Sequence, residues 1–291
     1  MITSFKITDQ KAIELAECSS VPKIMIIFGQ NGVGKSTLLY TVKQNVLENV
    51  VRNEEVIFIS PVSELPQTEY ARTDVQSDEP FSRITSVLSR LEIARRHIIA
   101  ASSLIDNRSR PPADEYASIS YVYDPLNKLL NLLLPHLKFE GVGISNTDSP
   151  KCIFSRDAHS GISHPPNQVD IDKLSRGEIE VISQFLPLVE HQILRKLVRR
   201  SDGSFSDIVV LMDMPGLYLP PQLQSRLLEY VRSVAREENE NIQVIIVTNF
   251  SALIDKATTE ELFMLMPSQQ LAEGSNQLVK VSDANTCVMR W

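Results

Sequence analysis

Cysteines, aromatics and long apolar runs are scarce in this 291-residue sequence, and each shortage removes a class of protein. The three cysteines (Cys18, Cys152 and Cys287) are odd in number and far apart. They give neither a disulfide framework nor a metal-ligand spacing, and are expected to be reduced, buried thiols in a cytoplasmic protein. No stretch approaches the roughly 20 apolar residues of a membrane span. The opening Met1-Ile2-Thr3-Ser4-Phe5-Lys6 lacks the charged-then-apolar layout of a secretion signal. Basic residues are outnumbered, 29 against 36 acidic, and the net charge of −7 argues against broad, non-specific binding to nucleic acid or membrane. A local basic patch remains a route to DNA, with Arg95-Arg96 and the Arg195-Lys196/Arg199-Arg200 cluster as candidates that are otherwise solvated helix faces. The five histidines show no metal spacing, and repeats are absent. With 43% hydrophobic and 22% charged residues, the chain is globular and long enough to bury a sizeable core.

What is present is a rhythm of short, almost wholly apolar runs. Lys23 to Phe28, Val56 to Ile59, Ile208 to Met212 and Gln243 to Val247 have the character of parallel strands buried on both faces. Each precedes a loop leading towards a helical pattern, clearest from Gln222 to about Glu237, where Leu223, Leu227, Leu228, Val231 and Val234 share one face. Alternation of this kind predicts an α/β fold with a mostly parallel sheet flanked by helices. The middle breaks the rhythm. Phe81 to Ile105 and Ala117 to Leu137 read as two helices of roughly 30 Å each, joined by the breaker from Asn107 to Pro112. The expected organisation is a discontinuous domain, 1–80 with 138–291, carrying a helical lid at 81–137. Phe139 to Ile144 and Cys152 to Ser155 read as a small hairpin region leading into Asp170, and Glu261 to Met266 and Gln277 to Val281 as edge strands.

Gly29-Gln30-Asn31-Gly32-Val33-Gly34-Lys35-Ser36-Thr37 matches G-x-x-x-x-G-K-[ST] and lies between an apolar run and a helical pattern. Glycines in such a loop let backbone N–H groups converge on phosphates beside a helix N-terminus. Lys35 is expected to reach the β- and γ-phosphates, Ser36 to give its hydroxyl to Mg²⁺, and Thr37 to bond the α-phosphate. Gly29, Asn31, Gly32 and Gly34 complete the cradle. Asp213, at the carboxyl end of the Ile208–Met212 run, stands where a carboxylate holds Mg²⁺.

Two P-loop classes compete for the second acidic segment. Asp213-Met214-Pro215-Gly216 fits the D-x-x-G of GTPases, but Thr248-Asn249-Phe250-Ser251 offers neither the lysine nor the aspartate of a guanine reader. By contrast Leu174-Ser175-Arg176-Gly177-Glu178 resembles the LSGGQ/LSSGE signature of ABC-type ATPases. Leu217 to Gln224 resembles their D-loop segment, and Ile242 to Asn249 the strand that ends in their switch histidine. The order of these segments is theirs too. Within that class the sequence is most similar to the SMC/RecF-like and OLD-nuclease-type ATPases, over about residues 1–60 and 138–270.

The resemblance implies a head-to-tail homodimer around two ATP molecules. Each ATP would be held by Lys35 and Ser36 of one copy and by Ser175 and Gly177 of the other. Gln67 is the candidate for the glutamine that senses Mg²⁺, and Phe5 for an aromatic that stacks on adenine, its other reading being a core residue. Ser175 with Glu178 also spells a capping box, which is compatible with a signature role. The sequence departs from the family twice. Met214 replaces the glutamate that polarises the attacking water, and Asn249 replaces the switch histidine. General-base help is typically worth 10² to 10⁴ in rate, so slow hydrolysis is expected unless Glu178 or an opposite D-loop stands in. The implied function is a dimerising ATPase that controls an effector partner such as a nuclease, in DNA repair or anti-phage defence. The alternatives are a non-catalytic ATP-binding switch or scaffold and, last, a GTPase.

Overall fold

In the computed structural model, residues 1–49, 56–60, 95, 98–99, 115–144, 150–156, 167–197, 208–236, 241–272 and 274–282 are described. The chain divides into two compact units, Met1–Pro61 with Ser204–Trp291, and Val62–Gly203. In chain order the described elements begin with β1 (Phe5–Gln10), β2 (Ile13–Cys18), β3 (Ile24–Phe28), α1 (Lys35–Asn49) and β4 (Val56–Ile59). The second unit supplies α2 (Glu115–Leu133), β5 (Leu137–Ile144), β6 (Pro150–Arg156), β7 (Asn167–Asp170) and α3 (Arg176–Leu197). The first resumes with β8 (Ile208–Asp213), α4 (Pro221–Ala235), β9 (Ile242–Thr248), the single turn α5 (Ser251–Ile254), β10 (Leu262–Leu265) and β11 (Leu278–Lys280).

The apolar runs of the sequence become the centre of the first unit. β3, β8 and β9 are buried at every position, which is why they carry no polar alternation. They lie in a six-stranded sheet of order β11-β10-β3-β9-β8-β4. All pairings are parallel except that of β11 with β10. One face packs Met25, Ile27, Val209, Leu211, Ile245 and Val247 against Leu38, Leu39 and Val42 of α1. Each such side chain contributes about 1.5–3 kcal/mol by leaving water. The segment from Glu261 to Met266 is no edge: β10 pairs with β3 on one side and β11 on the other. Its place was set by the neighbour it found, since a four-residue apolar run looks the same at an edge or inside.

A β1–β2 hairpin packs on the same core through Ile7, Ile13 and Ala16. Two buried glutamines tie it and the amino terminus down. The Gln243 side chain accepts from Ile2 N–H (2.7 Å) and donates to Ile2 C=O (2.9 Å). Gln277 accepts from Glu14 N–H (2.7 Å) and donates to Met266 C=O (3.0 Å). Burying these amides is tolerable because backbone groups satisfy them.

In the second unit β5, β6 and β7 form an antiparallel sheet with β6 central. The hairpin region expected there thus has a third strand, ending at Asp170. α2 stops at Leu133, four residues short of the expected Leu137, because Pro135 follows and Leu137 already opens β5. Asn127 of α2 accepts from Phe139 N–H (2.8 Å) and donates to its C=O (3.0 Å), pinning helix to strand. Arg95 pairs with Asp172 in the 3₁₀ turn Ile171–Lys173. Arg95, Ile98 and Ile99 are helical, and the rest of the expected helix from Phe81 to Ile105 lies outside the described residues. Cys18 and Cys152 are free and buried, and burial pushes the Cys152 thiol up to about 12; Cys287 lies outside the described residues. No helix among the described residues is long and apolar enough to cross a membrane.

Candidate nucleotide site

β3 delivers the chain into the Gly29–Ser36 loop, and α1 begins inside the motif at Lys35. Gly29 passes so close to β10 that a Cβ there would sit 2.4 Å from the Leu265 carbonyl oxygen, so no other residue fits. Gly34 adopts φ +102, and a Cβ would meet Ile13 at 3.0 Å, at the end of the β1–β2 turn. Gly32 shares the positive φ. Such a backbone turns successive N–H groups towards one point beside the N-terminus of α1, the arrangement that binds polyphosphate.

Lys35 is buried and its Nζ donates to the carbonyls of Gly29 and Gln30, both at 2.8 Å. Burial pushes its ammonium below the ordinary lysine range, against the charge of Asp213. Ser36 Oγ donates to Asp213 Oδ1 at 3.1 Å, joining α1 to the end of β8 across 177 residues of sequence. Asp213 is also buried; burial pushes its carboxyl up, opposed by the Ser36 hydrogen bond and by Lys35. Both groups are displaced towards neutrality, so each would gain from a further opposite charge, anionic at Lys35 and cationic at Asp213. Two hard oxygens, Ser36 Oγ and Asp213 Oδ1, meet at this point. That donor set suits Mg²⁺, which takes one or two protein oxygens and fills its shell with water and phosphate. Thr37 follows in the first turn of α1, where its carbonyl accepts from Thr41 Oγ1 at 2.9 Å. Gln67 lies outside the described residues.

Asn249 comes to the same place from β9. Its Nδ2 donates to Asn31 Oδ1 in the phosphate loop at 3.0 Å. Asn31, Lys35, Ser36, Asp213 and Asn249 are therefore neighbours. Met214 follows Asp213 with φ +46, a left-handed conformation rare for such a side chain, and its N–H is held by the Val247 carbonyl at 2.9 Å. Its thioether is no base. Beyond it Gln224 of α4 donates to the Leu219 carbonyl at 3.1 Å, fastening a loop whose Leu217 and Tyr218 are exposed.

Phe5 is partly buried against the core, at the opposite end of β1 from the turn that meets Gly34. The residues that do touch Gly34, Ala12 and Ile13, were missed. The only signal was the polar break Asp9-Gln10-Lys11 in an otherwise alternating stretch.

The second unit carries Ser175 and Gly177 at the start of α3. Ser175 N–H donates to Glu178 Oε2 at 2.5 Å, and Glu178 N–H points back at Ser175 Oγ at 3.4 Å, a capping box. The Glu178 carboxylate also meets His136 Nε2 at 2.6 Å and Arg156 at 2.9 and 3.1 Å. Burial alone would raise this carboxyl; the bonds from His136, Ser175 and Arg156 outweigh it and hold Glu178 below its ordinary value. A carboxylate so fully engaged is not available to orient water. His136, one of the five histidines without metal spacing, is thus a partner of this carboxylate.

No protein-family model and no curated protein matches the sequence. Solved structures do. An Smc head bound to the C-terminal winged-helix domain of ScpA has a TM-score of 0.52 and 10% identity, over 95% of this chain and 96% of that one. An SMC head domain from Thermotoga maritima has a TM-score of 0.43 and 11% identity, over 94% and 97%. A putative metal-chelate type ABC transporter has 0.38 and 13%, over 92% and 78%. With the parallel sheet and the strand–loop–helix at Gly29–Ser36, the likeness to the Smc head shows that this chain has the α/β fold of an ABC-type P-loop ATPase head.

Proposed function

We propose that the chain binds Mg·ATP and closes into a head-to-tail homodimer around it, hydrolysing it slowly and thereby controlling an effector protein. The observation that carries the binding step is the Ser36–Asp213 hydrogen bond beside buried Lys35, which gathers an ammonium, a hydroxyl and a carboxylate at the end of β8. In this reading Lys35 and the loop amides bind the β- and γ-phosphates, Ser36 and Asp213 hold Mg²⁺, and Asn249 reports on the γ-phosphate through its contact with Asn31. Mg²⁺, when bound, would supply neutralisation of the phosphate charge. Ser175 and Gly177 of the second copy would complete the site. Functionally, 1–80 and 138–291 provide the nucleotide-binding part, with Gln67 as a further Mg²⁺ contact, and 81–137 a helical lid. The effector would be a nuclease or a similar enzyme, in DNA repair or anti-phage defence, and DNA itself a contact of the complex.

A second reading, a switch that binds ATP without turning it over, is favoured by Met214 and by the engagement of Glu178. Phosphate release from Mg·ATP, with Lys35→Ala as the blank, separates the two. Turnover above the blank supports the ATPase, and turnover equal to it supports the switch. Met214→Glu should raise turnover if the rest of the site is built for hydrolysis. Retained ATP affinity in Lys35→Ala would remove the nucleotide assignment altogether.

A further inference from the structure

A capping box needs only serine and glutamate, and on a helix surface water completes the solvation of the carboxylate. Glu178 is treated otherwise. It is 7% exposed, and it receives His136 from the turn before β5 and Arg156 from the end of β6, 42 and 22 residues away in sequence. Its position explains the need. As the third residue of α3 it places a negative charge beside the N–H of Ser175 and the first amides of the helix, the end whose partial positive charge attracts anions. An unneutralised carboxylate there would repel the polyphosphate of the ATP whose site Ser175 completes in the proposed dimer.

Resting on that reading, we infer that Arg156 and His136 are positioning residues for the signature. They cancel the charge of Glu178 and fix it, so that the capping box can hold Ser175 without making the helix end hostile to phosphate. Arg156 carries the charge compensation, because its guanidinium lies against both oxygens of Glu178, at 2.9 and 3.1 Å. His136 meets Oε1 and the Ser175 amide meets Oε2, while Arg156 reaches both oxygens. The Ser175 hydroxyl is exposed and held only by the long 3.4 Å bond in which it accepts, so among the described residues its own hydrogen is free to turn towards a ligand.

The test measures the dimer dissociation constant in Mg·ATP by sedimentation, alongside the ATP affinity of the monomer and the unfolding temperature. Arg156→Leu should weaken the ATP-induced dimer by about tenfold, the scale of one charge-assisted hydrogen bond, with monomer ATP affinity unchanged. Adding Glu178→Gln to it should recover part of the loss, because the uncompensated charge is gone. A purely structural pair would show the opposite, the double variant being weaker than the single. His136→Gln should dimerise like the wild type and His136→Leu should not. If Arg156→Leu does not fold, Arg156→Gln carries the same comparison. Dimers that are blocked by Ser175→Arg but indifferent to the Arg156 and His136 changes overturn the positioning role alone. Dimers that never form in Mg·ATP, or that tolerate Ser175→Arg, overturn the signature reading and this inference with it.

Discussion

Asp213 in the first unit and Glu178 in the second are buried alike, 8% and 7% exposed, yet burial wins at one and loses at the other. Among the described residues the Asp213 carboxylate has one hydrogen bond, from Ser36, and the charge of Lys35; these do not offset desolvation, and its carboxyl is raised. Glu178 gathers His136, Ser175 and Arg156, which together reverse the effect. Full pairing is what a carboxylate has when its charge serves the fold. A carboxylate left under-compensated beside a hydroxyl and a lysine retains the capacity to take a cation, which is the role proposed for Asp213.

The change that should break the comparison most strongly is Lys35→Ala. It should lower ATP affinity by more than about 100-fold, and with it remove the stabilisation of about 2.7 kcal/mol expected at a ligand concentration 100 times Kd. Thermal shift with and without Mg·ATP checks both. Glu178→Ala acts on the other side. Losing the capping box and the bonds to His136 and Arg156 should destabilise the chain by about 2 kcal/mol in urea titrations, with little effect on ATP binding by the monomer.

Acid sharpens the contrast further. Glu178 titrates lower in the folded chain than in the unfolded one, so the unfolded state takes up the proton first. Its contribution to stability is complete above the ordinary glutamate range, near 4.3, and is lost as pH falls through that value towards the lower folded one. Glu261, held low by Arg232 and Thr258 against burial, adds a parallel loss from the first unit. Urea midpoints between pH 6 and 3 should therefore fall less steeply for Glu178→Gln than for the wild type. The smallest expected effect is at Met214. Asn tolerates the left-handed backbone that Met214 adopts at φ +46, so Met214→Asn should stabilise by about 0.5 kcal/mol, a shift readable in the urea midpoint.

Legibility differed between the same two regions. The strands at 24–28, 208–213 and 242–248 were readable because a parallel strand covered on both faces is apolar over most of its length, and few other local structures demand that. The phosphate loop was readable because its glycines answer a local demand: Gly29 has no room for a Cβ, and Gly34 needs a positive φ. The capping box was visible as Ser175 with Glu178 three residues on. Its partners were not, since nothing in a lone histidine before one strand and an arginine at the end of another announces a shared carboxylate. The hairpin turn under Gly34, the interior place of β10 and the bond from Asn249 to Asn31 were hidden for the same reason.

By itself the sequence determined what depends on neighbours along the chain. Helix and strand periods, the glycine loop and the removal of a base at Met214 all belong here, because backbone sterics and side-chain chemistry act within a few residues. Only the tertiary structure decided what depends on distant groups sharing low-dielectric space. It set Ser36 against Asp213 across 177 residues and surrounded Glu178 with three donors. The balance of burial against hydrogen bonds then fixed which of the two carboxylates keeps a charge to offer.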